Sequence, residues 1–280
     1  MEQSQMNQPA QIVEGYIKAG VNKATMPLGR MIFLGICAGI FIACGASASN
    51  MGMHTIANAS VAKIVAGAIF PVGLLMYLLI GGELFTGDCL MVMGAMNKKY
   101  SFASVAKVLT VVFLSNLIGS VLLAFFVFAS GQWDYSSGAL GAFTIKIAMG
   151  KVNTTFFNGF FSGIMCNIFV CGAVLTAYAA KDVTGKIWAA FFPIFAFVIS
   201  GYEHCVANMY YIPAGIFAKQ NPEYVSLAME KYGYTAEQLD HLNWFSFFVQ
   251  NEIPVTLGNI VGGMFLGVLL YIIHKRDWSK

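Results

Sequence analysis

Six apolar blocks, each about twenty residues or longer, alternate with polar joints along this chain. They cover about residues 31–49, 65–95, 103–130, 155–179, 188–217 and 245–274. At 1.5 Å of rise per residue, ~20 residues carry a helix across a ~30 Å hydrocarbon core, so each block predicts a transmembrane helix. Strict apolar/polar alternation over ~10 residues, the mark of a membrane barrel strand, is absent from the blocks. Ahead of them, residues 8–28 place Ile12, Tyr16, Ile17 and Val21 at helical spacing, which predicts an amphipathic helix lying at the membrane interface. The pattern divides the chain into an amphipathic segment (1–29), an all-α integral membrane domain (30–274) and a short tail (275–280). The longest polar connection, 219–243, carries Glu223, Glu230, Glu237 and Asp240.

Blocks two and five are too long for one straight crossing, and both are interrupted. Block two contains LLIGGELFTGDCLM, and block five contains FVISGYEHCVANMYYIPAGIF. The two interruptions correspond: Gly81-Gly82-Glu83 and Gly201-Tyr202-Glu203 lie 120 positions apart. Gly35 and Gly39 in block one likewise answer Gly159 and Gly163 in block four. Asn116 and Gly119 in block three answer Asn259 and Gly262 in block six. Each half therefore supplies three crossings, an odd number, and the second half must enter from the opposite face. The reading is an inverted 3+3 repeat with helices two and five broken, a construction shared by channels and secondary transporters.

Composition sharpens this picture. The residues are 58% hydrophobic and only 10% charged, against about 25% charged in soluble domains, and the mean hydropathy is +0.70. That excludes a soluble enzyme. A net charge of +3 without a basic stripe gives no reason to expect nucleic acid. The polar start MEQSQMNQPAQ lacks the short apolar core and cleavage site of a removable signal peptide. Of the sixteen Lys and Arg, eleven fall on one side of the predicted spans (Lys18, Lys23, Arg30, Lys98, Lys99, Lys107, Lys181, Lys186, Lys275, Arg276, Lys280) and five on the other (Lys63, Lys146, Lys151, Lys219, Lys231). The positive-inside rule then puts both termini in the cytoplasm. All six cysteines lie in or at the edge of spans, which predicts free, packing thiols.

Ionisable groups at bilayer depth are costly and mark pathways, and non-helical backbone survives there only when buried or lining a cavity. Glu83 and Glu203 stand at equivalent positions just before a restarting helix, so they are expected as caps that hold the breaks open. His204 answers apolar Leu84 in the first half, so the repeat supplies no structural reason for it. An unperturbed imidazole titrates near neutral pH, and His204 is expected at the centre of a substrate path rather than as a ring satisfied by a backbone carbonyl. Thr86 offers a hydroxyl to a passing oxyanion. Asn208 and Asn259 are placed either to hold the second His204 nitrogen or to line the lumen, whereas Asn116 and Asn167 read as helix–helix glue. Lys151 either concentrates anions at a pore mouth or snorkels to the interface. His54, His241 and His274 lie in loops or at a span end and are expected to be incidental.

The segments GGELFTGDCLMV (81–92), SGYEHCVANMYYIPAG (200–215) and PVTLGNIVGG (254–263) resemble the formate/nitrite transporter family, and the likeness runs over nearly the whole chain. It implies an aquaporin-like arrangement of six helices, a homopentamer with one pore per subunit, and location in the cytoplasmic membrane. It further implies that Leu84, Phe85 and Thr86 form the loop breaking helix two. His204 would be the central pore histidine, with Thr86 and Asn259 beside it. Phe70, Leu74, Leu84, Phe85 and Phe197 would form apolar constrictions, with Leu84 near the slit, and Lys151 would be a vestibule lysine. The family carries formate, nitrite, hydrosulfide, acetate or lactate, with no cofactor. Asp88, Cys89 and Cys205 depart from its common residues, and an ionised Asp88 near the slit would oppose anions.

Formate is the expected substrate, moving as an anion or together with a proton. A competing reading is an aquaporin-like channel for neutral solutes, though no Asn-Pro-Ala pair occurs in the sequence. A metal protein or intramembrane enzyme built on Asp88, Glu203, His204 and Cys205 is disfavoured. Consecutive helical residues point about 100° apart, and no HExxH or CxxC is present.

Overall fold

The computed structural model describes residues 6–275 and 278; of the predicted tail, residues 276, 277, 279 and 280 lie outside the described residues. The described chain is helical throughout. In order the helices are α1 (Pro9–Ala24), α2 (Leu28–Met53), α3 (Ala59–Ile69), α4 (Pro71–Ile80), α5 (Phe85–Asp88), α6 (Val92–Met96), α7 (Phe102–Ala129), α8 (Ala139–Val152), α9 (Phe156–Ala179), α10 (Val183–Ser200), α11 (Cys205–Ala218), α12 (Pro222–Tyr232), α13 (Ala236–Asp240) and α14 (Ile253–Lys275). A π-helical turn, Ser246–Glu252, leads into α14. Among the described residues six helices are long and apolar enough to cross a membrane: α2, α3 with α4, α7, α9, α10, and α14 with its π-helical lead. Their outward rings, such as Phe33, Phe157, Phe192 and Phe265, are more than half exposed, as side chains facing hydrocarbon are.

The two long blocks do break. α4 ends at Gly81 (φ +108°) and α10 at Gly201 (φ +72°), conformations that cost a side-chain-bearing residue but not glycine. Four residues, 81–84 and 201–204, then run without helix before α5 and α11 restart. α5, a 3₁₀ turn at Cys89–Met91 and α6 continue as one half-helix, and α11 forms the other.

The halves pack alike. α2 lies on α7 and α9 lies on α14, each pair drawn together at glycines. A Cβ on Gly39 would sit 2.2 Å from the Asn116 carbonyl oxygen, and one on Gly119 would sit 2.1 Å from that of Ile36. In the second half a Cβ on Gly258 would sit 2.1 Å from the Phe160 oxygen, and one on Gly262 2.2 Å from the Ile164 oxygen. Lipid offers helices no hydrophobic drive to associate, so such backbone approach supplies the packing.

Three features differ from the sequence expectation. The amphipathic helix α1 does not spend its apolar face on the interface. Val13, Tyr16 and Ile17 are buried where α1 meets α6, α9 and α14, and Tyr16 Oη donates to the Gly87 carbonyl at 2.6 Å. The bundle supplies polar partners that hydrocarbon lacks. The 219–243 connection is not a loop but carries α12 and α13, capped by Asn221 and Thr235. Finally, α8 is a helix outside the six blocks, with Leu140, Phe143, Ile145 and Met149 buried, and Lys151 lies in its last turn. The six cysteines are free.

Candidate functional site

Each break exposes backbone groups that water would otherwise satisfy, and an asparagine from the neighbouring long helix takes them. In the first half Asn116 Oδ1 accepts from Phe85 N at 3.0 Å, while Nδ2 donates to Gly35 O at 2.8 Å and Glu83 O at 2.9 Å. In the second half Asn259 Oδ1 accepts from Cys205 N at 2.9 Å, and Nδ2 donates to Gly163 O at 2.8 Å and Glu203 O at 3.0 Å. Each amide thus ties the last residues of the break, the first amide of the half-helix and the glycine-lined helix behind it. Asn167 adds a cross-brace, donating to Thr86 O at 3.1 Å and Asn259 O at 2.6 Å. Asn116 and Asn259, separated in the sequence reading as glue and pathway, do one job. Asn259 is committed to backbone and bonds neither ring nitrogen of His204.

His204 is itself the residue at the start of α11. Its Nδ1 accepts from Ala207 N at 3.1 Å, and its Nε2 lies 2.9 Å from Thr86 Oγ1 across the repeat boundary. A backbone N–H is always a donor, so Nδ1 is bare in this arrangement. The ring is then the neutral Nε2–H tautomer, donating to Thr86 Oγ1, and the Thr86 hydroxyl hydrogen is left for a further acceptor. The partner of Nδ1 is therefore a backbone amide, neither the carbonyl nor Asn208 or Asn259. His204 is 2% exposed, and Thr86 is fully buried.

Two cavities reach the two breaks. The first, about 290 Å³, runs from Lys63, Lys146 and Lys151 to Phe70, Phe197 and His204. Phe70 and Phe197 meet edge to face with centroids 5.5 Å apart, and Phe197 lies 6.0 Å from the His204 ring. Three ammonium groups and one carboxylate, Glu203, make this cavity electropositive. Lys151 Nζ bonds Glu203 Oε1 at 2.8 Å and stands 5.5 Å over the Tyr211 ring, so it points into the protein and does not snorkel. The second cavity, about 420 Å³, is lined by Tyr16, Lys23, Tyr77, Gly81, Gly82 and Lys186. Here Lys23 bonds Glu83 and also stands 2.9 Å from Asp88 Oδ1.

Glu83 and Glu203 therefore lie in the breaks but do not cap the half-helices. The residue at the start of α5 is Leu84, which has no side-chain cap, and the one at the start of α11 is His204. A lysine ammonium in a low-dielectric site attracts a carboxylate more strongly than a dipole end does, and each glutamate turns to its lysine. Asn208 holds this arrangement, donating to Glu203 Oε2 at 2.7 Å and to Asn251 Oδ1 at 2.8 Å. Leu74 and Leu84 are buried and line neither cavity. Phe85 turns away from both: its ring packs 5.1 Å from Phe113 in a separate apolar pocket between α7 and α14, so it is not a pore constriction.

The sequence reading missed Lys63, Lys146 and Lys23 as site residues. Lys23 carried a signal: it follows Tyr16 by seven residues and Gly20 by three, so it shares the buried face of α1, where a cation needs a partner. Among the described residues no group of three His, Cys, Asp or Glu side chains is positioned to hold a metal ion.

The chain is similar to known proteins over nearly its full length. The family model described as formate/nitrite transporter matches residues 10–273. A probable formate transporter of Methanothermobacter thermautotrophicus is 36% identical, over 96% of this chain and 97% of its own. The formate channel FocA of Escherichia coli K12 is 32% identical, over 96% and 95%. Among solved structures, a pentameric formate channel with formate bound superposes with a TM-score of 0.80 at 35% identity, covering 89% of this chain and 98% of that one. An FNT family ion channel superposes with a TM-score of 0.75 at 26% identity, covering 94% and 98%. These relatives are channels and transporters, not enzymes. The matched length and the helices that cross a membrane make this chain a multi-pass membrane protein of the formate/nitrite transporter family.

Proposed function

We propose that the chain conducts small monovalent anions of weak acids, formate first among them, through a pore in each subunit of a homopentamer. It sits in the cytoplasmic membrane with both termini in the cytoplasm, in keeping with the eleven-to-five asymmetry of Lys and Arg. Formate is preferred over nitrite, hydrosulfide or lactate because the formate transporters and channels named above are related over nearly the full chain. The observation that carries the reading is the buried His204–Thr86 contact, with His204 on the wall of a cavity that three lysines also line.

The physical problem is a charge crossing apolar rings. A bare anion loses several kcal/mol or more of solvation in such an interior, while its neutral acid loses little. Lys63, Lys146 and Lys151 raise the local anion concentration, and Phe70 and Phe197, with Leu74 and Leu84 deeper, exclude water. At the centre the Thr86 hydroxyl donates to the anion while His204 Nε2–H supports Thr86 from behind. Uptake of a proton at Nδ1 requires His204 to give up its bond to Ala207. The imidazolium therefore forms when an anion stands beside it to offset that cost, and the pair parts as neutral imidazole and neutral acid. Passage is proton-coupled when the acid leaves intact and anionic when the proton is returned.

The test is uptake by the purified protein in proteoliposomes. Formate is expected to enter faster than nitrite, lactate or hydrosulfide, with uptake rising as external pH falls. Glycerol is expected to be excluded; rapid glycerol entry with no anion flux overturns the reading in favour of a neutral-solute channel.

A further inference from the structure

The two halves differ in one buried side chain. In the second half Asn208 lies five residues after Glu203 and donates to its Oε2 at 2.7 Å. The residue at the matching place, five after Glu83 and 120 before Asn208, is Asp88. Asp88 is fully buried, and as a carboxylate neither of its oxygens has a hydrogen-bond partner among the described residues. Lys23 Nζ stands 2.9 Å from Oδ1 as an ion pair but is not aligned for a hydrogen bond to it, and the same ammonium bonds Glu83. Two carboxylates thus face one cation. A site closed to water does not hold the surplus negative charge cheaply. Asparagine and a protonated aspartic acid have nearly the same shape, and both donate a hydrogen bond.

We propose that Asp88 is a carboxylic acid in the resting protein, donating to Glu83 as Asn208 donates to Glu203, and that it is the proton-binding group that sets the charge of the Lys23-side cavity. With Asp88 protonated, the Lys23–Glu83–Asp88 cluster is neutral. With Asp88 ionised it carries one negative charge beside the path of an anion. The other titratable groups around Asp88 are Tyr16 on α1, Tyr77 on α4, Tyr100 ahead of α7, Cys171 and Tyr178 on α9, and Cys89 next in the chain. Tyr and Cys side chains are ordinarily uncharged at neutral pH, so Lys23 and Glu83 supply the charge there, with Lys186 farther out on the same cavity. The sign follows: loss of the Asp88 proton opposes anions, so anion flux falls as pH rises on the α1 side.

The functional part rests on the transport reading above; the protonation of Asp88 does not. Two measurements separate them. In oriented proteoliposomes, raising the pH on the α1 side alone is expected to lower wild-type formate flux roughly tenfold, the size of one unit charge acting at ~10 Å with an effective dielectric near 20. Asp88→Asn, which fixes the neutral shape, is expected to keep the low-pH flux and lose this dependence. Asn208→Asp is expected to install a matching dependence on the Lys151 side. Independently, the infrared carbonyl band of a buried protonated carboxylic acid is expected in the wild type and lost in Asp88→Asn. Retention of the wild-type pH dependence by Asp88→Asn, or a band unaffected by that substitution, overturns the proposal. If no variant carries any anion, the transport reading fails, and the infrared difference still decides the state of Asp88.

Discussion

An asparagine in hydrocarbon is a poor choice unless every polar atom is used, and Asn116 and Asn259 use theirs. Each accepts from the first amide of a half-helix and donates to one carbonyl of the break and one carbonyl of the long helix behind it. Truncation to alanine leaves the half-helix amide and the break carbonyl of Glu83 or Glu203 without that partner, at about 1–3 kcal/mol for each buried group left unsatisfied. Asn116→Ala and Asn259→Ala are each expected to lower thermal stability in detergent by several degrees or more and to reduce folded yield, to similar extents. A large loss for one and none for the other contradicts their equivalence. Both residues were legible as a repeated pair at Asn116 and Asn259, but their shared role was not. The sequence shows that an amide recurs and not which backbone groups it will meet. The same limit applied to the glutamates: position in the repeat located them in the breaks, while the choice of lysine over helix end depended on Lys23 arriving from α1.

At the scale of elements, most of the fold was legible because the bilayer constrains it. Apolar length gave the spans, and Gly81 and Gly201 marked where they stop. What the pattern did not reveal were the pieces held by tertiary contact, such as α8 and the docked face of α1. The close pairs α2–α7 and α9–α14 depend on glycines without room for a methyl group. Gly258→Ala is expected to cost about 1–3 kcal/mol through overpacking, because its Cβ would meet the Phe160 carbonyl at 2.1 Å. Gly172→Ala, in open space on α9, is expected to be neutral or to stabilise by up to about 1 kcal/mol through helix propensity. Thermal melting of the two variants in detergent checks this, and equal effects contradict the packing account.

Over the whole molecule, two interrupted helices bring a histidine and a threonine from opposite halves into contact, with a lysine–glutamate pair at each break. In the proposed function the three lysines that line the first cavity draw anions in, apolar rings keep water out, and the His204–Thr86 pair is the polar step between. Everything functional in this account passes through the imidazole of His204. The direct measurement is formate uptake into proteoliposomes across a pH series by wild type and His204→Phe, with oligomeric state followed in parallel. The account expects the variant to assemble normally while proton-coupled uptake is abolished and the pH response flattens. Uptake that stays at the wild-type rate and still rises as pH falls contradicts it.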